Sequence, residues 1–147
     1  QELVRGADVV VLGRTASRES FWEEGRIATR IRVDVEDVWL GSLPTDQRDV
    51  HVVTLGGVIG TIGQTVHGAL QISEGERVVL CLAKDHLGRF WSVGMSQGAF
   101  RVAGEPGLDA LVQPLPNAPR LVGKPFAPIP VTLGELYRAI QEAARVR

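Results

Sequence analysis

The chain has 147 residues, 44 % hydrophobic and 22 % charged, which is enough for one globular domain with its own apolar core. A net charge of −1 excludes the basic footprint of a surface for nucleic acid or anionic membrane. No apolar run approaches the ~20 residues of a membrane-spanning helix, so no membrane insertion is expected.

Residues 8–12 open the first strand. Val9, Val10, Val11 and Leu12 are apolar on both faces, as suits a strand covered on both sides. Residues 13–17 continue outward, and residues 18–26 read as a charged hairpin loop. Phe21 and Trp22 sit within that loop, where aromatic rings either fold back over a barrel mouth or serve as anchors for a partner.

Residues 27–40 form the longest β candidate. Thr29, Ile31, Val33 and Val35 alternate with Arg30, Arg32, Asp34 and Glu36, the pattern of a half-buried strand with a charged outer face. The phase then breaks, because Val38 and Leu40 share parity with the charged set. A β-bulge near Glu36–Asp37 would return them to the core and bend the strand toward closure. Asp34, Glu36 and Asp37 read as an ion-paired solvated face beside Arg30 and Arg32.

A loop punctuated by Pro44 leads to a strand over 50–55, followed by the glycine cluster Gly56, Gly57, Gly60 and Gly63. Glycines there could cradle a phosphate, but neither a good helix nor a Gly-Lys-Ser/Thr follows. The reading is a barrel corner that backbone geometry demands. Residues 64–70 are a weak strand or extended arm. Residues 77–83 are a buried strand carrying Cys81, expected to be an inert core thiol. The turn at 84–88 feeds a strand over 89–93, and 99–102 is the next.

Seven of the eight prolines fall at 106–130, marking an extended crossing in which residues 108–112 could form a small helix. Thr132 and Glu135 form a capping box for a helix over 133–145, with Leu136, Ile140 and Ala143 on its apolar face.

Catalytic patterns are weak. His51, His67 and His86 lack metal-ligand spacing, so no metal or other cofactor is expected. Gly94-Met-Ser-Gln-Gly98 matches a nucleophile elbow as a string. A strand follows Ser96 where a helix is needed, and no histidine lies beyond His86. No catalytic residue is assigned.

Ala7-Asp-Val-Val-Val-Leu-Gly-Arg14, Val38-Trp-Leu-Gly41, Gly56-Gly-Val-Ile-Gly60, Gly75-Glu-Arg-Val-Val-Leu-Cys-Leu82 and Ser96-Gln-Gly-Ala-Phe-Arg-Val102 occur in this order. Together they resemble poorly characterised, often exported bacterial β-barrel domains of OB-like, netrin-like or metalloproteinase-inhibitor-like type. The resemblance covers residues 7–102 and implies a fold. The inhibitor barrels place an N-terminal cysteine on a metal, whereas this chain begins at Gln1, so inhibition does not carry over.

The expectation is therefore a mainly-β single domain over 1–147. It comprises a small antiparallel OB-like barrel of five or six strands over 7–102, a proline-rich crossing over 103–131 and an amphipathic closing helix over 132–146. The expected function is a non-catalytic binding or accessory domain acting on an unknown protein partner through Phe21 and Trp22. Starting without Met, the chain reads as a processed or trimmed product, and the resemblance implies a secreted or periplasmic location. One alternative is a hydrolase-type or metal-dependent enzyme sited near the glycines and drawing on His51, His67 or Asp34. Another is an oligonucleotide-binding OB fold, disfavoured by charge and by 5 % aromatic content.

Overall fold

The computed structural model describes residues 6–44, 46–66, 69–70, 72–93, 98–103, 110–114 and 132–145. Two 15-residue strands, β1 (Val9–Glu23) and β2 (Arg26–Leu40), form an antiparallel ribbon. Residues 18–23 are thus strand and not loop. The chain reverses in only two residues, Glu24 and Gly25, with φ of 50° and 79°. Two successive positive φ values define the turn whose twist matches that of paired strands, and a glycine in the second position relieves most of its strain.

Next come β3 (Asp49–Leu55), β4 (Gly57–Ile59), β5 (Ile62–Gln64), β6 (Arg77–Lys84), β7 (Phe90–Ser92), β8 (Ala99–Ala103) and β9 (Leu111–Pro114). Five strands close into a ring in the order β1-β2-β3-β7-β6, with β6 returning to β1. The expected small β-barrel is present. Its pairings are antiparallel except at the closure, where β3 and β7 run parallel through Val52 with Phe90 and Val53 with Trp91. β6 shares one edge between β7 at Leu82–Lys84 and β8 at Val78–Leu80, so β8 leaves the ring and continues into β9. Residues 111–112, the end of the small helix expected over 108–112, are therefore strand, and residues 108–109 lie outside the described residues. Pro114 is tolerated there on an edge strand.

The core has two layers, one on each side of β1 and β6. Val9, Val11, Ile31, Val33, Val52, Val78, Leu80 and Leu82 fill the barrel interior. Val10, Leu12, Val79 and Cys81 face outward, beneath the helix α1 (Leu133–Arg145). This second cover explains why β1 is apolar on both faces. α1 buries Leu136, Ile140 and Ala143, the stripe that its periodicity predicts.

The bulge in β2 occurs where the broken alternation requires it. Glu36 has no partner between the pairs Leu12–Asp37 and Gly13–Val35, and Val38 returns to pack against the barrel interior. A second irregularity skips Trp39, which is buried in the outer layer. There its ring meets Tyr137 of α1 edge-on, with centroids 5.1 Å apart, and its carbonyl accepts a 2.6 Å hydrogen bond from Gln141 Nε2. Leu40 follows it into this layer. Two bulges thus split the apolar residues of one strand between two cores.

The capping box forms with one change. Thr132 Oγ1 accepts the Glu135 amide at 3.1 Å, and the reciprocal hydrogen bond to the Glu135 carboxylate, 3.0 Å, is donated by the Thr132 hydroxyl. The proline-rich segment lies outside the described residues apart from β9.

Candidate functional site

Three surfaces can be built from the strands upward. The first is the far end of the β1–β2 ribbon, which extends past the β1–β6 pairing ending at Arg14. Phe21 lies opposite Ala28 and Trp22 opposite Ile27, so the two rings point to opposite faces of the ribbon. Phe21 is half-buried, whereas Trp22 is 49 % exposed.

The β4–β5 hairpin lies against the Trp22 face. The Gly56 amide donates to the Ile27 carbonyl at 2.8 Å, and the Ile27 amide donates to Gln64 Oε1 at 2.7 Å. Gly57, at φ 140°, sits so close to the ribbon that a Cβ there would come 2.5 Å from Ser20 Oγ and collide with Thr29 Oγ1. The glycines thus do form the expected corner after β3, and they also let a small hairpin dock on the ribbon. Its tip exposes Val58 (67 %) and Ile62 (50 %). Sequence reasoning missed both residues; the available signal was two bulky apolar residues inside a glycine-rich turn.

The second surface is the outer face of β2 and β3, with Phe21 at one border. A shallow cavity of about 370 Å³ there is lined by Phe21, Arg30, His51, Val53, Arg89 and Phe90 among others. Its charges are matched one by one. Arg30 pairs with Glu19 at 3.2 Å, and His51 with Asp49 at 3.5 Å. Arg89 bridges Glu23 and Asp85, the latter at 3.0 Å. Asp34 lies beside Arg32 at 3.6 Å on the same charged exterior.

Asp85 anchors the β6–β7 turn. One oxygen accepts the Leu87 and Arg89 amides, and the other accepts Arg89 Nε and Trp91 Nε1. Burial opposes its ionisation, but these four donors outweigh burial and hold the carboxyl well below the usual carboxylate range. The group is a structural clamp that ties the turn to the ribbon through Arg89 and Glu23.

The third surface is a cavity of about 400 Å³ lined by Gly56, Gly57 and Gly63 from the glycine stretch, and by Thr29, Thr54, Arg18 and Arg101. Among the described residues of the enzyme alternative, neither Asp34 nor His51 lines it. His67 and Ser96 lie outside the described residues. Among the described residues no group of three His, Cys, Asp or Glu side chains is placed to hold a metal ion. Cys81 is buried under α1, and burial pushes its thiol up to about 12, leaving the neutral, unreactive form.

Comparison with protein-family models, curated proteins and solved structures finds no match for this chain. Among the described residues no helix is long and apolar enough to cross a membrane.

Proposed function

We propose that the chain is a non-catalytic binding domain that engages another protein through the end of the β1–β2 ribbon and the β4–β5 hairpin. The carrying observation is Trp22 and Ile62, two large apolar side chains about half exposed on neighbouring, hydrogen-bonded elements, with Val58, 67 % exposed, on the opposite face of the same hairpin. Apolar groups displayed on stiff strands lose little conformational entropy on docking, and an exposed Trp is typical anchor material. Phe21 faces the other way and belongs to this surface only by proximity in sequence.

Kinship with exported OB-like, netrin-like barrels remains part of this reading. The five-stranded ring and the resemblance over residues 7–102 support it, and an exported location rests on that resemblance. Oligonucleotide binding is disfavoured because Arg30 and Arg89 on the β2–β3 exterior cavity are each already paired with a carboxylate and the chain's net charge is −1.

The test compares wild type with Trp22→Ala/Val58→Ser/Ile62→Ser, both immobilised and presented with an extract of secreted proteins. A protein retained by wild type, lost by the triple variant and unaffected by Phe21→Ala supports the surface, provided thermal unfolding is unchanged. Equal retention by the wild type and the triple variant removes these residues from the account.

A further inference from the structure

Closure of the ring leaves part of β1 with an open backbone edge. β6 covers the edge away from β2 only as far as Arg14, after which Thr15 bonds to Glu76 and Gly75 at 2.9 and 2.8 Å. From Ser17 to Glu23, β1 keeps β2 on one side and, among the described residues, no strand on the other.

The two-residue turn decides which groups lie on that edge. In such a hairpin the flanking pair, here Glu23 and Arg26, exchanges both backbone hydrogen bonds, and bonded and unbonded pairs alternate from there. Glu23, Phe21, Glu19 and Ser17 therefore spend their N–H and C=O groups on β2, whereas Trp22, Ser20 and Arg18 turn theirs outward. The same alternation points the Ile27 groups away from β1, and these are the ones that Gln64 and Gly56 take. The edge thus offers the N–H and C=O of Arg18, Ser20 and Trp22, without a partner among the described residues. Such a row is a template for another strand. Charged side chains often guard an exposed edge, but Glu19 and Glu23 point to the outer face, where Arg30 and Arg89 neutralise them.

We propose that this edge pairs with the same edge of a second copy of the chain, antiparallel about a twofold axis at Ser20. A twofold pairing sets outward residues opposite outward residues, and the register centred on Ser20 is the one that uses every outward group. In it Arg18 faces the partner's Trp22, a cation beside an indole. Arg18 is available for this, being exposed and holding only the Ile72 carbonyl, at 3.4 Å, among the described residues. On the other face Glu19 meets the partner's Phe21 and Ser17 meets the partner's Glu23, so no like charges oppose each other. The length also fits, because the partner's turn begins opposite Ala16, just short of the residue that Glu76 and Gly75 hold. Both Trp22 rings stay on one side of the joined sheet. The pairing therefore doubles the partner surface proposed above and does not depend on it.

Sedimentation equilibrium from ~5 µM to ~1 mM tests the pairing, since a single strand pair buries little area and binds weakly. The wild type should pass from monomer to dimer within that range. Ser20→Pro should weaken association at least ~10-fold, because it removes an N–H at the axis while an edge strand tolerates proline. Ser20→Ala, which loses the 2.9 Å hydroxyl contact with Thr29 but keeps the N–H, should dimerise like the wild type. In wild type alone, amide exchange at Arg18, Ser20 and Trp22 should slow as concentration rises, while Ser17, Glu19 and Phe21 stay unchanged. That alternation identifies the edge even if the proline variant does not fold. A monomer at every concentration, undiminished association in folded Ser20→Pro, or slowed exchange confined to Val58 and Ile62 would each overturn the pairing.

Discussion

Asp85 is where a single side chain most clearly sets local structure. Its two oxygens are saturated by four donors, two of them backbone amides that define the turn between β6 and β7. Because its folded pKa lies below the unfolded value of about 3.9, its stabilisation is complete above that value and is lost as pH falls through the folded one. Asp85→Asn should lower the melting temperature at pH 7, since an amide nitrogen would face Arg89 Nε and Trp91 Nε1. The gap between the two proteins should narrow steadily below about pH 4. A gap that stayed constant down to pH 2 would show that the turn does not depend on the charge.

The same scale holds an ion pair that the sequence disguises. Arg77 is buried, and its Nε lies 3.0 Å from Glu36, the residue extruded by the β2 bulge. The alternation of β2 assigns Glu36 to a solvated face. The bulge frees it to neutralise an arginine from a strand far along the chain, and that partnership was not legible from local pattern.

At the scale of elements, α1 shows two sources of stability that mutation can separate. Its N-terminal cap uses Thr132, while Leu136, Ile140 and Ala143 seal the outer layer over Val79 and Cys81. Thr132→Ala should cost about 1 kcal/mol, the usual value of a cap. Ile140→Ala should cost about 2–4 kcal/mol, because it also leaves a cavity between helix and barrel. Urea denaturation of the two variants checks the order. A larger loss for Thr132→Ala would mean that helix initiation, and not docking, limits this element.

The ribbon makes a complementary point about reach. Charged residues flanking Phe21 and Trp22 suggested a loop, since Arg18, Glu19, Glu23 and Glu24 dilute the apolar signal. They are strand residues because β2 supplies a full row of backbone partners, from Ser20 with Thr29 to Glu23 with Arg26. Where solvent covers much of a two-stranded ribbon, polarity no longer reports strand or loop. That is why Phe21 and Trp22 could be paired in sequence yet fall on opposite faces.

For the whole molecule, the two-layer core predicts how the lone thiol behaves. Cys81 lies between barrel and helix, with its ionisation suppressed to about 12. A thiol reagent at pH 8 should label it many-fold more slowly in the native protein than in urea, at a rate set by undocking of α1 or by global unfolding. Ile140→Ala should speed native labelling. Fast labelling of the native wild type would contradict the closed outer layer.

Local sequence determined the parts whose cause is local. The alternation of β2 and its first bulge, the corner glycines, the buried character of β1 and β6, and the capped amphipathic helix all follow from period, turn chemistry and side-chain size. Tertiary structure decided what depends on closure. It made β3 and β7 parallel neighbours, sent Trp39 beneath a helix and matched Arg77 to Glu36. It also brought Arg18 and Arg101 to one cavity beside Gly56. The physical reason is that periodicity records which face of an element is buried. The identity of what covers that face is set only when the strands close into a ring.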